Sequence, residues 1–237
     1  MVPGWRAVRA LLVARRRKVK KLLVDRERGK PDEEVLDLAA DAGIRREFVE
    51  DARIAREARI ETHQGVVALA APVPSVRLDE LTSATDAFLV AVDGVTDPQN
   101  LGAILRTAEV AGATGAVVPR HRSALLGPAA VKAAAGAIEH LPIALVGGVA
   151  GAIEQTARAG VWSVGLDVGG TTPVRELGIA DAPVVLVLGA EGRGLSRLVR
   201  ERCDVLASIP VYGHLESLNV AAAAAVACFE VAARRHL

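Results

Sequence analysis

Cysteine is scarce in this sequence of 237 residues, which contains only Cys203 and Cys228. Two isolated cysteines provide neither a disulfide framework nor the ligand spacing of a metal site, so no metal is expected. The first segment is rich in arginine but has no continuous apolar stretch before a small-residue cleavage site, which argues against a secretory signal. The sequence therefore predicts a reducing compartment, the cytoplasm.

Long hydrophobic runs and an excess of one charge are also absent. The longest apolar stretches, near 145–153 and 220–229, are shorter than the roughly 20 residues that a membrane-spanning helix requires. Hydrophobic residues nevertheless make up 51% of the chain and charged residues 24%, which excludes a mostly disordered protein. We expect a globular chain with one large domain or two small ones.

The formal net charge of +1 conceals an uneven distribution along the chain. Residues 1–30 carry a net charge of +9, residues 31–62 carry −5 and residues 63–237 carry −3. The basic segment is typical of a surface that contacts nucleic-acid phosphates, although a solvated helix face is the alternative interpretation. We expect four residues at its centre to contribute to such binding: Arg15, Arg16, Arg17 and Lys18.

The spacing of apolar residues divides the chain into two parts. Residues 1–72 are predicted to form a small α/β unit, with helices at 6–16 and 31–43 and strands at 20–25 and 65–71. Pro31 is expected in the first turn of the second helix. Pro72 and Pro74 interrupt both periodicities, so residues 73–85 are the predicted linker.

Residues 86–237 alternate apolar runs with helical patterns that end at glycine. The strand-like runs lie at 88–93, 115–119, 141–146, 161–167, 184–189 and 206–210. This alternation predicts the α/β class, with a mainly parallel sheet covered on both faces. Ligands of such sheets bind beyond the carboxyl ends of the strands, so the segments that follow the strands are the candidate sites.

Two of these segments are rich in polar residues. Asp93, Asn100 and Arg106 follow the run at 88–93 and indicate a polar cluster, although Asn100 alone is typical of a helix cap and Arg106 of a solvated helix face. After 206–210, an Ala-rich helix is expected to start near Ser217, where Ser217 and Asn219 are again typical caps. The small side chains of this helix favour close packing, either inside the protein or in a dimer.

The third segment, after 184–189, is rich in glycine. Glycines at such a turn allow backbone amides to approach a ligand closely, and Glu191 lies among them. The spacing differs from the dinucleotide-binding pattern, and no Lys-Ser/Thr pair follows to form a triphosphate loop. A tight turn without a ligand is the alternative.

Taken together, NLGAILR (100–106), LVLGAEGRGL (186–195) and IPVYGHLESLNVAAA (209–223) resemble the three motifs of the SpoU/TrmH group of SPOUT RNA 2′-O-ribose methyltransferases. This resemblance covers roughly residues 86–237. Gly4, Val8 and HQGVVA (63–68) are similar to the ribosomal-protein-like domain that precedes the catalytic domain in the 23S rRNA guanosine methyltransferases of the group. Trp5 and Ala221 depart from the usual residues.

The resemblance implies a trefoil-knotted methyltransferase domain at 86–237, RNA as partner, S-adenosylmethionine as cofactor and a homodimer. It implies catalytic roles for Asn100, Arg106, Glu191, Ser217 and Asn219. It implies cofactor contacts by Leu188, Gly189, Ile209, Pro210 and Leu218. Within the implied site, Asn100 orients Arg106 or the ribose, and Glu191 holds Arg106 or Asn219.

Arg106 matches the base proposed for this group, but arginine is a poor base because its pKa exceeds about 12. We therefore expect Arg106 to bind the target phosphate and to lower the pKa of the hydroxyl electrostatically. His214 is a less favoured base, and Lys132 is either an RNA contact or a solvated helix residue. The alternatives are a tRNA or antibiotic-resistance methyltransferase of the same group and a non-catalytic RNA-binding assembly factor.

Overall fold

The first of two regions is a small α/β unit. The computed structural model describes residues 1–27, 32–121 and 123–236, so the predicted helix start at Pro31 lies outside the described residues. The elements of this region are β1 (Val2–Pro3), α1 (Trp5–Ala14), β2 (Val19–Asp25), α2 (Glu33–Asp41), β3 (Arg45–Val49), α3 (Asp51–Ala58) and β4 (Val66–Ala70). The strand order is β1-β4-β2-β3, with β2 parallel to β3 and antiparallel to β4.

Alternation along β2 places helices on both faces of this sheet. Leu22 and Val24 pack with α1 and α2, whereas Leu23 packs with Ile54 of α3. The two helices and two strands predicted in this region are confirmed, with ends shifted by at most two residues where the structure describes them. β3 and α3 were not predicted, because their sequences are dominated by charged residues.

The second region contains a wholly parallel sheet. Its elements are β5 (Ser75–Val76), α4 (Leu78–Thr82), β6 (Phe88–Asp93), α5 (Pro98–Val110), β7 (Gly115–Pro119), α6 (Pro128–Ala133), β8 (Ile143–Val146), α7 (Val149–Arg158), β9 (Trp162–Leu166), β10 (Thr172–Pro173), β11 (Val184–Gly189), α8 (Arg197–Arg202), β12 (Val205–Ser208) and α9 (Val220–His236). The strand order is β10-β12-β9-β11-β6-β7-β8-β5. Each of the six predicted runs overlaps a strand.

Both faces of this sheet are buried, as predicted. Leu186 and Leu188 of β11 pack in the cluster that contains α5 and α9, whereas Val185 and Val187 pack with α7 and α8. The α/β class is therefore confirmed. The trefoil knot stays a prediction, since strand order alone does not trace the path of the chain. No helix in the described ranges is long and apolar enough to cross a membrane.

The stretch 73–85 differs from the predicted linker. It contains β5, which pairs with β8 at the edge of the large sheet, and α4, whose Leu78 and Leu81 are buried. Pro72 and Pro74 interrupt the periodicity as expected, but β5 and α4 are too short for a period to be recognised in the sequence.

The two regions share a buried contact between α1 and the short 3-10 turn at Ala137–Glu139. Arg17 Nη1 lies 2.5 Å from Glu139 Oε1, and the two side chains are only 4% and 1% exposed. Arg17 Nε also donates to the carbonyl oxygen of Ala71 at 2.7 Å. The expectation that Arg17 contacts nucleic acid is therefore wrong, because its guanidinium holds the two regions together.

The Ala-rich helix α9 begins at Val220, three residues later than expected. Asn219 precedes it, and the Asn219 Oδ1 accepts hydrogen bonds from the backbone N–H groups of Ala221 and Ala222 at 2.9 and 3.4 Å. The capping interpretation of Asn219 is therefore confirmed. At the other end, Arg235 donates to backbone carbonyl oxygens, which fastens the helix to the loops beside β6 and β11.

Candidate active site

The turn from β6 into α5 presents Asn100 on the first turn of the helix. Asp97 caps α5 by accepting a hydrogen bond from the N–H of Gln99 at 2.9 Å, and Pro98 occupies the first helical position. The helix cap is therefore Asp97, so the capping interpretation of Asn100 is wrong. The amide of Asn100 is instead free to reach another segment.

The glycine-rich segment after β11 folds into a closed turn. Ala190 and Gly194 exchange two backbone hydrogen bonds of 3.0 and 2.8 Å. Gly192 and Gly194 adopt φ values of +75° and +66°, a region that other residues rarely occupy. Between these glycines and β11, the turn directs Glu191 outward toward α5 and α9.

Three predicted site residues form one hydrogen-bonded network. Asn100 Nδ2 donates to Glu191 Oε2 at 3.3 Å, and Asn219 Nδ2 donates to Glu191 Oε1 at 3.4 Å and to Asn100 Oδ1 at 3.1 Å. These residues are far apart in sequence and come from three different segments: the first turn of α5, the turn after β11 and the start of α9. Of the two partners expected for Glu191, Arg106 and Asn219, the structure places Asn219 within hydrogen-bond distance.

A cavity of about 270 Å³ lies directly beside this network. Four of the five predicted cofactor contacts line it, namely Leu188, Gly189, Ile209 and Leu218. Glu191 and Ser217 line it as well, whereas Pro210 does not belong to the lining. Four of the predicted cofactor residues and two of the predicted catalytic residues thus share one cleft at the carboxyl end of β11.

The polar cluster expected after β6 is divided among three places. Asp93 Oδ2 accepts a hydrogen bond of 2.7 Å from the N–H of Ser196, the residue before α8, so Asp93 fixes the turn that follows β11. Arg106 is exposed and faces a second groove, between the two regions, together with Lys132. Within the described ranges, Arg106 forms no hydrogen bond to Asn100 or Glu191. The structure therefore does not show the expected contact of Arg106 with either residue.

A further ion pair at the cavity was not predicted. Asp167 follows β9 and pairs with Arg200 of α8, whose Nε lies 3.0 Å from Asp167 Oδ2, and both residues line the cavity. Asp167 is the last residue of the strand-like run at 161–167. Knowledge that β9 lies next to β11 would have marked it as a site residue, but the strand order cannot be read from the sequence.

Other titratable groups near the sheet are poorly suited to act as the base. Burial raises the pKa of the Cys228 thiol to about 12, and burial together with Asp204 and Asp93 raises that of Cys203 to about 12. Both thiols therefore stay protonated at neutral pH. His214 lies on the exposed loop before α9 and does not line the cavity.

Gly189→Ala is expected to weaken binding of S-adenosylmethionine, the cofactor that the resemblance implies. A β-carbon at Gly189 would collide with backbone atoms of Gly194 and Leu195, so the turn that lines the cavity would have to move. Overpacking of this kind costs about 1–3 kcal/mol, or roughly 5- to 150-fold in affinity. Titration calorimetry measures the effect, with Gly178→Ala as control because open space surrounds Gly178. Equal affinities of the two variants would contradict the prediction.

Comparisons with known proteins converge on one family. The model of the SpoU rRNA Methylase family matches residues 87–229. A model described as RNA 2'-O ribose methyltransferase substrate binding matches residues 1–76. The 23S rRNA (guanosine-2'-O-)-methyltransferase RlmB of Pseudomonas putida is 38% identical, over 99% of this chain and 96% of that protein.

Solved structures agree over the same span. The SpoU methyltransferase AviRb from Streptomyces viridochromogenes in complex with AdoMet has a TM-score of 0.83 and 28% identity, covering 99% of this chain and 90% of that chain. An AdoMet-bound rRNA methyltransferase from Sinorhizobium meliloti has a TM-score of 0.81 and 29% identity, covering 100% of this chain and 87% of that one. The expected fold, with a substrate-binding region before the parallel sheet, is confirmed.

Proposed function

We propose, since this chain belongs to the SpoU rRNA methylase family, that it methylates the ribose 2′-hydroxyl of a guanosine in 23S rRNA. The observation that carries this proposal is the 38% identity to a 23S rRNA (guanosine-2'-O-)-methyltransferase across 99% of the chain, so that both regions are shared. The substrate-binding model at residues 1–76 supports RNA as the partner. The cytoplasm, where rRNA is made, is the proposed compartment.

The cavity residues fit S-adenosylmethionine, the methyl donor bound in the two related structures. Leu188, Ile209 and Leu218 offer apolar surface to an uncharged adenine, and Gly189 allows the turn at Gly194 to close against the end of β11 beside the cavity. Carboxylates of Glu191 and Glu216 line the same cavity and suit the positive charges of a sulfonium and an ammonium group. Once bound, this group would supply an activated methyl. The contact of Pro210 with S-adenosylmethionine stays a prediction.

The residues of the chain must orient the ribose hydroxyl and help it lose its proton. Glu191 and Asn219 act as positioning residues, because each is held by hydrogen bonds within the network. Asn100 and Ser217 are the catalytic residues that contact the ribose, since Asn100 keeps one amide hydrogen free and the Ser217 hydroxyl lies at the cavity. Arg106 binds a phosphate and lowers the pKa of the hydroxyl, whose proton passes to water.

We also propose a homodimer, formed through the outer face of α9. Ala222, Val226, Phe229 and Ala233 form an exposed stripe along this helix. Phe229 is 50% exposed, and Leu215 in the preceding loop is 79% exposed. Exposed apolar patches of this kind typically mark interaction sites. Light scattering at micromolar concentration is expected to give the dimer mass and, for Phe229→Glu, the monomer mass. A wild-type protein that is monomeric would contradict the proposal.

The proposed reaction is tested by mapping ribose methylation in total rRNA and tRNA from cells with and without this protein. We expect one 2′-O-methylguanosine in 23S rRNA that depends on the protein. Purified protein with radiolabelled S-adenosylmethionine and an unmodified 23S rRNA transcript should reproduce the same mark. A new mark in tRNA alone would refute the proposed substrate, and no mark in either RNA would refute the reaction.

A further inference from the structure

A second groove lies between the two regions and is separate from the cavity. We call it the interdomain groove. Its volume is about 770 Å³, and its lining includes Gly4, Trp5, Arg6 and Gln64 from the first region and Gln99, Arg106 and Lys132 from the second. We propose that this groove binds single-stranded RNA beside the methylated nucleotide, with Trp5 stacking on a base. The inference rests on the proposed function and adds an RNA-binding residue to it.

Charge is the first observation that favours RNA. Arg6, Arg106 and Lys132 line the groove together with one carboxylate, Asp32, and none of the three cations forms an ion pair with any residue in the described ranges. Many other cations of the chain are paired with carboxylates, as in Arg9 with Glu34 and Lys21 with Glu47. Three unpaired cations around one groove offer a path for a phosphate backbone.

Trp5 supplies the aromatic surface on which a base can stack. It is the first residue of α1 and is only partly buried, with one side packed against the core and another lining the groove. Packing on the core fixes the ring, so little conformational entropy is lost when a base stacks on it. Stacking between bases and aromatic side chains is a general means of holding single-stranded RNA.

Amide side chains complete the groove. Gln64 adopts φ +58°, an uncommon value for glutamine, and its Oε1 lies where a β-carbon at Gly4 would approach to 2.7 Å. Gln64 is thus held against the start of α1, beside Trp5. Amides donate and accept hydrogen bonds, as the edges of bases require. A groove for a protein partner would instead have a centre with few charges.

The groove leads to the proposed site of methylation. Gln99 lines the groove, whereas its neighbour Asn100 belongs to the network beside the cavity. Gln99 and Arg106 are seven residues apart and therefore face the same side of α5. A strand that follows this side of α5 passes from Trp5 and Arg106 to the cavity.

The test uses Trp5 as its own reporter. The chain contains two tryptophans, so Trp162→Phe leaves Trp5 as the only one. We expect a single-stranded oligoribonucleotide to quench Trp5 fluorescence strongly, and an abasic oligomer of the same length to quench it much less. Equal quenching by the abasic oligomer or by polyglutamate would overturn the proposal, because either result would indicate attraction by charge alone.

Substitution of Trp5 gives an independent measurement on the full chain. Trp5→Ala is expected to weaken binding of an unmodified 23S rRNA transcript about 5- to 100-fold, and Trp5→Phe should retain most of the affinity. Trp162→Ala is the matched control, since Trp162 is 46% exposed at the opposite, amino end of β9. Unchanged affinity of Trp5→Ala would overturn the proposal.

Folding and the reaction itself are monitored separately. Titration with S-adenosylmethionine reports whether Trp5→Ala is folded, because Trp5 does not line the cavity. If Trp5→Ala does not bind S-adenosylmethionine, the proposal is decided by the RNA affinity of Trp5→Phe and by the quenching of Trp5 fluorescence in Trp162→Phe. If the wild type transfers methyl groups and the Trp5 variants bind RNA with full affinity, only the proposal that RNA binds in the interdomain groove is refuted. Absence of transfer by the wild type would refute the proposed function.

Discussion

Glu139→Ala is expected to lower the free energy of unfolding by about 3–5 kcal/mol, because it leaves the Arg17 guanidinium buried without its counter-charge. Arg17 and Glu139 are among the few charged side chains with almost no exposure, at 4% and 1%. Arg17 also donates to the carbonyl oxygen of Ala71, so it cannot easily turn out into water. Urea unfolding followed by circular dichroism measures the loss as a shift of the midpoint.

Glu34→Ala provides the matched control for this prediction. It also replaces a glutamate that is paired with an arginine, Arg9. In this pair the side chain of Glu34 is 57% exposed and that of Arg9 is 50% exposed. Exposed pairs contribute little, since water and salt screen them. The double variant Arg17→Met with Glu139→Leu should recover much of the stability. Similar midpoints for Glu139→Ala and Glu34→Ala would contradict the prediction.

The Arg17–Glu139 pair also bears on the geometry of the proposed RNA-binding groove. It joins the α1 side of the first region to the turn that follows α6. The walls of the interdomain groove come from the same elements, α1, α5 and α6. If the groove binds RNA as proposed, we expect this buried contact to hold the groove walls together, so that RNA on the first region is presented to the cavity of the second.

The alternation of strands and helices in the second region was predictable, because most of its buried strands are short runs rich in Val, Leu and Ala. β3 was not, since Arg45, Arg46 and Glu47 give it the composition of a surface segment. Its strand conformation depends on pairing with β2, which is a tertiary effect. The same limit applies to β5 and α4, which are stabilised by the large sheet more than by their own sequences.

The candidate site was predictable in its residues but not in its arrangement. Three motifs identified Asn100, Glu191 and Asn219, which the structure joins into one network. The burial of Arg17 was not predictable from the sequence. α1 ends at Ala14 and Arg15 takes φ +52°, so the helical period stops before Arg17 and does not show which way its side chain faces. To predict Asp167 as a site residue, one would have to know that β9 lies next to β11. To predict the interdomain groove, one would have to know how the two regions pack.

Arg106→Ala is expected to lower the single-turnover rate of methyl transfer about 100- to 1000-fold at saturating RNA, the loss typical of removing one group that stabilises developing charge. Arg106 lies on the groove side of α5 and does not line the cavity, so the affinity for S-adenosylmethionine should stay unchanged. Arg106→Lys keeps the charge but loses the planar fork that binds a phosphate through two hydrogen bonds. We therefore expect it to recover only part of the rate.

Arg158→Ala is the matched control, because Arg158 is an exposed arginine at the end of α7 and lines neither the cavity nor the interdomain groove. Rapid-quench measurements with an unmodified 23S rRNA transcript separate the chemical step from RNA binding, which Arg106 also supports. A near-normal rate for Arg106→Lys would exclude a need for the two hydrogen bonds of the planar fork. A near-normal rate for Arg106→Ala would exclude both electrostatic activation through a bound phosphate and proton abstraction by the guanidinium. The role would then pass to Glu191, whose carboxylate lies at the cavity and is already held by Asn100 and Asn219.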